Sequence, residues 1–309
     1  MQYYMAPLEG ITTYIFRGAY HKFYKDCDKY FTPFLASKRL SYKETNEIKP
    51  ENNEGMNLVP QILSNNIETF IEIARQIKDF GYDTVNINLG CPSGTVVSRK
   101  RGAGQLADTY ALEKFLDEVF EKCPMKISVK TRVGMYDTCE WEDILAVYAK
   151  FPLEELIIHP RLREDYYKGK PRLETVKQAI AAQLPFPICY NGDITSTATF
   201  TDIIKELPTV DRVMVGRGLL RNPALVSELS GSDKKDCLEA FMSELANRYE
   251  EQYGVGQDTN CLFKLKDVWN HLGMNYPENE KLLKAIRKSD TLSEYRIAVK
   301  RFFAQRESV

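Results

Sequence analysis

Short runs of β-branched and aromatic residues recur along the first two thirds of the chain, and we interpret eight of them as strands. Segments with apolar residues at helical spacing separate most of these runs, for example Ile67–Phe80 and Leu112–Phe120. Strands that alternate with helices predict a parallel sheet, and eight such units fit a closed (β/α)₈ barrel of about 250 residues. An open doubly wound sheet is the alternative. The predicted strands are Tyr3–Leu8, Tyr30–Ala36, Leu58–Leu63, Thr84–Gly90, Lys126–Arg132, Glu155–Arg161, Pro187–Asp193 and Asp211–Arg217.

Most of the predicted strands carry polar or charged residues at their carboxyl ends. Loops are polar in general, so one such end carries little weight. In a barrel, however, all of these ends lie on the face that holds the active site. We therefore expect a shared site there. The end residues are Pro7, Ser37, Gln61, Asn88 with Cys91, Lys130 with Arg132, His159 with Arg161, Asn191 with Asp193, and Gly216 with Arg217.

The last predicted strand leads into a candidate phosphate site. Val213–Gly218 reads Val-Met-Val-Gly-Arg-Gly, and a helix is predicted to begin near Leu219. Glycines let the backbone approach an anion, and the amides at a helix N-terminus can bind it. Arg217 adds a charged donor, and Asn191-Gly192-Asp193 offers a second half of the cradle. The pair indicates a phosphorylated cofactor, whereas no GxGxxG follows a strand to support a dinucleotide site.

The composition becomes polar at Ser230–Lys235, and we place a domain boundary there. We predict a barrel domain over residues 1–230 and a small all-α helical bundle over residues 235–309. Apolar positions at helical spacing predict helices over 238–253, Cys261–Leu272, Glu280–Lys288 and Leu292–Gln305.

Basic residues cluster on these C-terminal helices and would form a phosphate-binding patch if they converge. Ordinary amphipathic helices are the alternative explanation. The formal net charge of −1 argues against a nucleic-acid partner unless charge is segregated on the surface. The clusters are Lys264 with Lys266, then Lys284, Arg287 and Lys288, then Arg296, Lys300 and Arg301.

The remaining composition excludes several classes of protein. Seven cysteines without a CxxC pair, and only 3 histidines, argue against a disulfide framework and a metal site. Met1–Gly10 lacks the pattern of a secretion signal, and no run approaches the roughly 20 apolar residues of a membrane span. We expect a cytoplasmic protein with no metal and no membrane contact.

Several motifs together resemble the dihydrouridine synthase family, in the expected order from about residue 3 to about residue 225. One position departs from the family pattern, because Pro160 stands where the family usually has the glycine of a His-Gly-Arg motif. Proline removes an amide and fixes φ, so we expect altered loop geometry but retained His159 and Arg161 side chains. The matching stretches are Met5-Ala6-Pro7-Leu8-Glu9-Gly10, Asn86-Ile87-Asn88-Leu89-Gly90-Cys91-Pro92-Ser93, Arg101-Gly102-Ala103-Gly104, Val129-Lys130-Thr131-Arg132, His159-Pro160-Arg161, Asn191-Gly192-Asp193 and Gly216-Arg217-Gly218.

This resemblance implies an FMN-dependent oxidoreductase with NADPH as electron donor. Its reaction would reduce the C5–C6 double bond of a specific uridine in tRNA to 5,6-dihydrouridine. Reduced FMN would deliver hydride to C6, and Cys91 would give the proton to C5. A thiol of pKa about 8.5 can hold and give a proton near neutral pH. The other six cysteines we expect to be buried and inert.

The same resemblance implies roles for the residues at the predicted strand ends. Asn88 is the second catalytic candidate and would hydrogen-bond the uracil or the flavin edge. Lys130 is costly to bury unless it meets an electron-rich partner, such as the N1–C2=O2 edge of flavin. The candidate cofactor-binding residues are Ala6, Pro7, Leu8, Gln61, Lys130, His159, Asn191, Gly192, Asp193, Gly216 and Arg217.

Substrate binding is assigned to basic residues around the mouth and on the C-terminal helices. The target uridine must be extruded or unstacked, with Tyr166 and Tyr167 as candidates to stack on it. Gly102 and Gly104 suggest that the basic loop after Cys91 can move over the substrate. A monomer suffices to bind one tRNA. The candidates for tRNA contact are Arg99, Lys100, Arg101, Arg132, Arg161, Arg163, Lys264, Lys284, Arg287, Lys288, Arg296 and Lys300.

Two alternatives stay open on the sequence. An FMN barrel acting on a free pyrimidine, like dihydroorotate dehydrogenase, shares the phosphate site but does not explain the basic helical appendage. A flavin-free RNA-binding protein on a decayed barrel is the other, and the presence of Asn88, Cys91, Lys130 and His159 together argues against it.

Overall fold

The computed structural model describes residues 1–232, 236–254 and 256–306. All nine of its strands run parallel in one sheet, in the order β3-β2-β1-β9-β8-β7-β6-β5-β4. The strands are β1 (Gln2–Met5), β2 (Lys29–Phe31), β3 (Leu58–Val59), β4 (Gln61–Ile62), β5 (Thr84–Leu89), β6 (Lys126–Arg132), β7 (Leu156–His159), β8 (Ile188–Tyr190) and β9 (Arg212–Val215).

The two ends of this sheet are consecutive pieces of chain, so the sheet closes on itself. Only Pro60 separates β3 from β4, and its missing N–H interrupts the ladder. The N–H of Gln61 instead donates to the Thr32 hydroxyl at 3.0 Å, and Leu35 bridges Ile62 across the seam. The predicted (β/α)₈ barrel is therefore confirmed, with one of its eight strands broken at the proline.

Helices follow the strands as predicted, and they cover the outside of the barrel. The predicted strands extend too far at several ends. For example, Tyr30–Ala36 forms a ladder only as far as Phe31, since Pro33 interrupts it before Leu35 rejoins the sheet. The barrel helices are α1 (Tyr14–Phe23), α2 (Tyr42–Ile48), α3 (Ile67–Asp79), α4 (Gly94–Val97), α5 (Thr109–Lys122), α6 (Glu140–Tyr148), α7 (Leu173–Ala181), α8 (Thr197–Glu206), α9 (Arg217–Arg221) and α10 (Leu225–Ser230), with 3-10 turns at Pro50–Asn52 and Gly102–Ala107.

Four further helices follow the barrel and form the predicted all-α region. They are α11 (Leu238–Tyr253), α12 (Asp258–Leu272), α13 (Glu280–Lys288) and α14 (Leu292–Arg306), with 3-10 turns at Gly273–Asn275 and Pro277–Asn279. Phe241 of α11 packs edge-on against the rings of Phe16, Tyr20 and Tyr24, so α11 shares one core with α1.

The proposed domain boundary stays a prediction. The α10 helix ends at Ser230 with Gly231 in the left-handed region, φ 72°. Residue 235, where we start the second domain, lies outside the described residues, as do its last residues, 307–309. Within the ranges described, no helix combines the length and apolar character that a membrane span requires.

A buried ion pair anchors the loop that follows β1, which carries Pro7–Gly10 to the barrel mouth. Arg17 is fully buried and donates to Glu47 Oε2 at 2.9 Å and to the Thr12 carbonyl at 2.9 Å. Its Nη2 donates to the Glu47 carbonyl at 2.8 Å and to Asn53 Oδ1 at 3.0 Å. The pair therefore joins α1, α2 and the loop in one rigid unit.

Replacing Arg17 by Met should destabilise the fold by about 3–5 kcal/mol, because Glu47 would stay buried without a partner charge. The double variant Arg17→Met/Glu47→Leu should recover most of that loss. Urea unfolding of the three proteins measures both. Equal stability of the single and double variants would show that the pair does not act as described.

Candidate active site

The carboxyl ends of the strands open into a cavity of about 550 Å³. A smaller pocket of about 60 Å³ adjoins it beside β8 and β9. All of the predicted cofactor residues line one or both spaces, so the structure brings them together, although their roles stay predictions. The residues shared by the two spaces are Pro7, Leu8, Lys130, His159, Tyr167 and Arg217.

The smaller pocket is built by close backbone packing between the loops after β8 and β9. A Cβ at Gly218 would lie 2.1 Å from the Ile194 carbonyl oxygen, so only glycine fits there. A Cβ at Gly216 would lie 3.3 Å from the Ala6 methyl carbon. The pocket is thus a backbone-lined cradle with Asn191, Gly192 and Arg217 in its wall.

Asp193 joins two arginines at the edge of this cradle. It sits in the left-handed region with φ 39° and accepts from Arg217 Nη2 at 2.7 Å and from both terminal nitrogens of Arg161. Arg161 is buried and also donates to the carbonyls of Lys168 and Gly169. The structure therefore places Arg161 inside the wall of the site, where it holds the loop after β7.

His159 presents a neutral ring to the cavity. Burial, and then the charges of Lys130, Arg132 and Arg161, lower its pKa well below the ordinary value. Its Nε2 lies 3.1 Å from Arg161 Nη1. A guanidinium group can only donate, so Nε2 accepts and the proton resides on Nδ1. The side chains of His159 and Arg161 thus keep their places in the wall despite Pro160 between them.

Lys130 carries a charge without a protein partner at the centre of the site. Burial, followed by the charge of Arg132, lowers the pKa of its ammonium group to about 8. It lines both spaces, and within the part of the chain that the structure describes its Nζ makes no hydrogen bond or ion pair. An unpaired cation at this depth favours an electron-rich ligand beside it.

A hydrogen-bonded series of side chains crosses the barrel interior below Cys91. Asn86 donates to Ser128 Oγ at 2.8 Å and accepts from Gln61 Nε2 at 2.8 Å. Gln61 Oε1 in turn accepts from Asn88 Nδ2 at 2.7 Å. The Asn88 oxygen accepts from the backbone N–H of Cys91 at 2.9 Å. Both polar ends of the Asn88 amide are thereby engaged in holding the loop that carries Cys91.

Cys91 is half-buried and lines the larger cavity. Burial raises the pKa of its thiol, while a backbone hydrogen bond from Ser93 and the charges of Arg132 and Lys130 act in the opposite direction. The thiol is therefore protonated at neutral pH. Gly102, at φ 57°, packs against it, since a Cβ there would lie 3.0 Å from Cys91 Cβ.

The other cysteines differ in part from the expectation that all are buried. Cys27, Cys189 and Cys261 are buried, Cys123 is half-buried like Cys237, and Cys139 is exposed in the loop before α6. No cluster of His, Cys, Asp and Glu suited to a metal ion occurs among the described residues.

Arg132 holds the opposite side of the cavity. It is 1% exposed and donates to the carbonyls of Gly90 at 2.9 Å, Leu162 at 2.7 Å and Tyr166 at 2.6 Å. Its guanidinium also lies 5.5 Å from the ring centroid of Tyr167. Arg132 therefore positions the loop that carries the two predicted stacking tyrosines.

The outer basic residues near the mouth are more accessible. Arg99 and Lys100 are exposed, and Arg101 is half-buried with Nε 3.4 Å from Asn65 Oδ1. The following turn is packed, with Gly102 buried, so the loop is less free than its glycines suggest. Arg163 donates to the Tyr166 hydroxyl at 3.1 Å.

The six predicted tRNA contacts on the C-terminal helices fall into two groups. Lys264, Arg287 and Arg296 have protein partners: the Gly10 carbonyl for Lys264, Glu280 for Arg287, and Asn247 with Glu250 for Arg296. The second group is exposed, and it consists of Lys284, Lys288 and Lys300.

Sequence reasoning did not assign a role to two titratable residues that also line the larger cavity, Glu9 and His271. Glu9 lies within Met5–Gly10, one of the stretches that resemble the family. His271 is one of several polar residues on α12, and nothing in the local sequence indicates that this helix reaches the barrel mouth.

The family model for dihydrouridine synthase (Dus) matches residues 4–306. The chain belongs to the dihydrouridine synthase family. Among similar curated proteins, tRNA-dihydrouridine synthase B of Pasteurella multocida (strain Pm70) is 27% identical, covering 79% of this chain and 74% of that one. A probable tRNA-dihydrouridine synthase of Staphylococcus aureus (strain COL) is 26% identical, covering 80% and 78%.

Solved structures with a similar fold also include reductases. Morphinone reductase has a TM-score of 0.52 at 12% identity and covers 76% of this chain and 87% of its own. The old yellow enzyme homologue from Zymomonas mobilis has a TM-score of 0.54 at 12% identity and covers 78% and 92%. At these identities the likeness shows the barrel fold alone.

For this family member, replacing Lys130 by Met should stabilise the flavin-free protein at about pH 7 by about 3 kcal/mol. The pKa of the Lys130 ammonium group is about 8 in the folded protein and about 10.4 in the unfolded chain. At any pH below both values, the buried charge therefore lowers the free energy of unfolding. Stability of the unsubstituted protein should rise with pH through that window, and the advantage of the variant should shrink. Urea unfolding of both proteins across the window tests this, and an advantage that does not change with pH would contradict it.

Proposed function

We propose that this protein is a tRNA-dihydrouridine synthase that uses FMN, reduced by NADPH, to reduce the C5–C6 bond of a uridine within tRNA. The observation that carries the proposal is the Cys91 thiol, held protonated over a cavity whose wall contains the unpaired Lys130 ammonium. Relatives named for this reaction support it, and no observation favours a free pyrimidine.

The residues of the two spaces fit FMN. The backbone cradle at Gly216–Gly218, with Arg217, suits the phosphate, and Pro7 and Leu8 offer an apolar shelf where the two spaces meet. Lys130 and the His159 Nδ1–H are the donors available to the electron-rich edge of the ring system. In that position FMN, once bound and reduced, would supply hydride chemistry for the uracil C6.

Cys91 would supply the proton that goes to C5. Its raised pKa keeps the thiol protonated until the base is in place. The charges of Arg132 and Lys130 then stabilise the thiolate that remains, and water returns the proton afterwards. Asn88 contributes by fixing the backbone N–H of Cys91 rather than by a free amide of its own.

Replacing Cys91 by Ala should lower dihydrouridine formation by about 100-fold or more, the usual worth of a general acid. Nucleoside mass spectrometry of tRNA incubated with NADPH and the flavin-loaded protein measures the product. Cys123→Ala is the matched control, because that thiol is also half-buried but lies outside the cavity. Flavin content should be the same in all three proteins. Full activity in Cys91→Ala would remove the cysteine from the mechanism.

The exposed cations of the C-terminal helices would dock the body of the tRNA. A groove of about 620 Å³ runs between α13 and α14, with Lys281, Lys288 and Arg301 in its walls. Lys284 and Lys300 are exposed on the same two helices. We propose that these cations together serve as a phosphate-binding patch, although Glu278 and Glu294 also line the groove. We propose that a single chain is enough for such docking. We also propose that the protein acts in the cytoplasm.

The double variant Lys288→Ala/Lys300→Ala should bind tRNA more weakly, with the slope of log affinity against log salt reduced by about 1–2. The maximal rate at saturating tRNA should change little, since neither residue lines the cavity. The control is Lys78→Ala/Lys126→Ala, which removes two exposed cations elsewhere on the barrel. An equal loss in the control would mean that binding depends on net charge alone.

A further inference from the structure

Helix α12 lies across the mouth of the barrel. Near its middle Lys264 Nζ donates to the Gly10 carbonyl at 2.8 Å, in the loop after β1. Near its C-terminal end His271 lines the larger cavity together with Arg217. The two residues are seven positions apart, which places them on one face about 10 Å apart along the helix. This face of α12 therefore stands opposite the strand ends.

His271 is the one residue of the described C-terminal helices that lines this cavity. Its Nδ1 is buried and has no hydrogen-bond partner. Nε2 is therefore the nitrogen left to meet a ligand. His271 does not line the smaller pocket, where the cofactor phosphate would lie. It thus faces the chamber of Cys91 rather than the phosphate cradle.

An exposed aromatic side chain lies next to Lys264, near the middle of the same helix. Phe263 is 69% exposed, and Lys264 Nζ lies 5.7 Å from its ring centroid. Across the rim, Tyr42 is 75% exposed beside Lys43, whose Nζ lies 3.9 Å from Glu9. Exposed rings interleaved with cations are the usual platform for bases of a single strand.

We propose that the face of α12 with Lys264 and His271, bordered by Phe263, is the second wall of the substrate site, along which the RNA strand next to the reacting uridine runs. His271 Nε2 donates to a phosphate of that strand, and Phe263 stacks on a flanking base. Lys264 holds the helix in place through Gly10. The inference rests on the proposed function, because only a polynucleotide substrate has a flanking strand.

The charge environment of His271 makes the contact sensitive to pH. Burial lowers its pKa, Asp267 on the same helix raises it, and Arg221 and Arg217 of α9 lower it further. A phosphate placed between the imidazole and these arginines would offset their repulsion. RNA binding would therefore be accompanied by proton uptake, and the affinity would rise as the pH falls through the titration of His271, whose pKa lies below the ordinary histidine value.

The test uses the full-length flavin-loaded protein and unmodified tRNA, with binding followed by fluorescence anisotropy. His271→Ala and Phe263→Ala should each weaken binding about tenfold, as expected for a hydrogen bond to a charged group and for one stacked base. His271→Gln keeps a hydrogen-bond donor, so its affinity for tRNA should lie between those of the unsubstituted protein and His271→Ala. Its affinity should also no longer show the pH dependence that the histidine contributes. His21→Ala, which removes a half-buried histidine outside the cavity, should bind like the unsubstituted protein.

Flavin content and thermal melting show whether each variant is folded. The His271 variants should remain folded, because His271 Nδ1 has no hydrogen-bond partner among the described residues that the substitution would leave unsatisfied. Unchanged tRNA affinity in folded His271→Ala and Phe263→Ala would overturn the inference while leaving the proposed function intact. A change confined to the KM for NADPH would also overturn it, by assigning His271 to the electron donor. If the unsubstituted protein neither bound nor reduced tRNA, the proposed function itself would fail.

Discussion

The hydrogen-bonded series from Ser128 through Asn86 and Gln61 to Asn88 fixes the backbone on which the chemistry of this protein depends. A barrel interior excludes water, so each polar group there must find a protein partner. Here the partners are other strand residues, and the last of them is the N–H of Cys91. The position of the thiol is therefore set by side chains from three strands rather than by its own loop.

The remaining geometry follows from how positive charge is distributed around that thiol. Arg161 and Arg132 are buried and spend most of their donors on loop carbonyls and Asp193, so they shape the walls. Of these three cations, Lys130 alone has no protein partner for its charge in the described part of the chain. Its lowered pKa reflects the unfavourable free energy of burying that charge. A site that retains such a group is prepared for an electron-rich ligand.

Much of the fold and of the cavity lining follows from sequence, because hydrophobic periodicity and strand-end polarity are local signals. The break at Pro60 was readable in principle, but which neighbour takes over the hydrogen bonds depends on Thr32 and Leu35 across the seam. The inward placement of Arg132 and Arg161 depends on loops distant in sequence. His271 reaches the cavity only because α12 packs on α9, a tertiary arrangement that has no local signature.

The most direct test of the central claim is a single turnover without oxygen. Protein loaded with FMN and reduced by NADPH would be mixed with tRNA lacking dihydrouridine, with the same tRNA after full modification, or with free uridine. The account predicts rapid return of the oxidised-flavin absorbance with the unmodified tRNA alone. Equally rapid return with free uridine, or no return with any of the three, would contradict it.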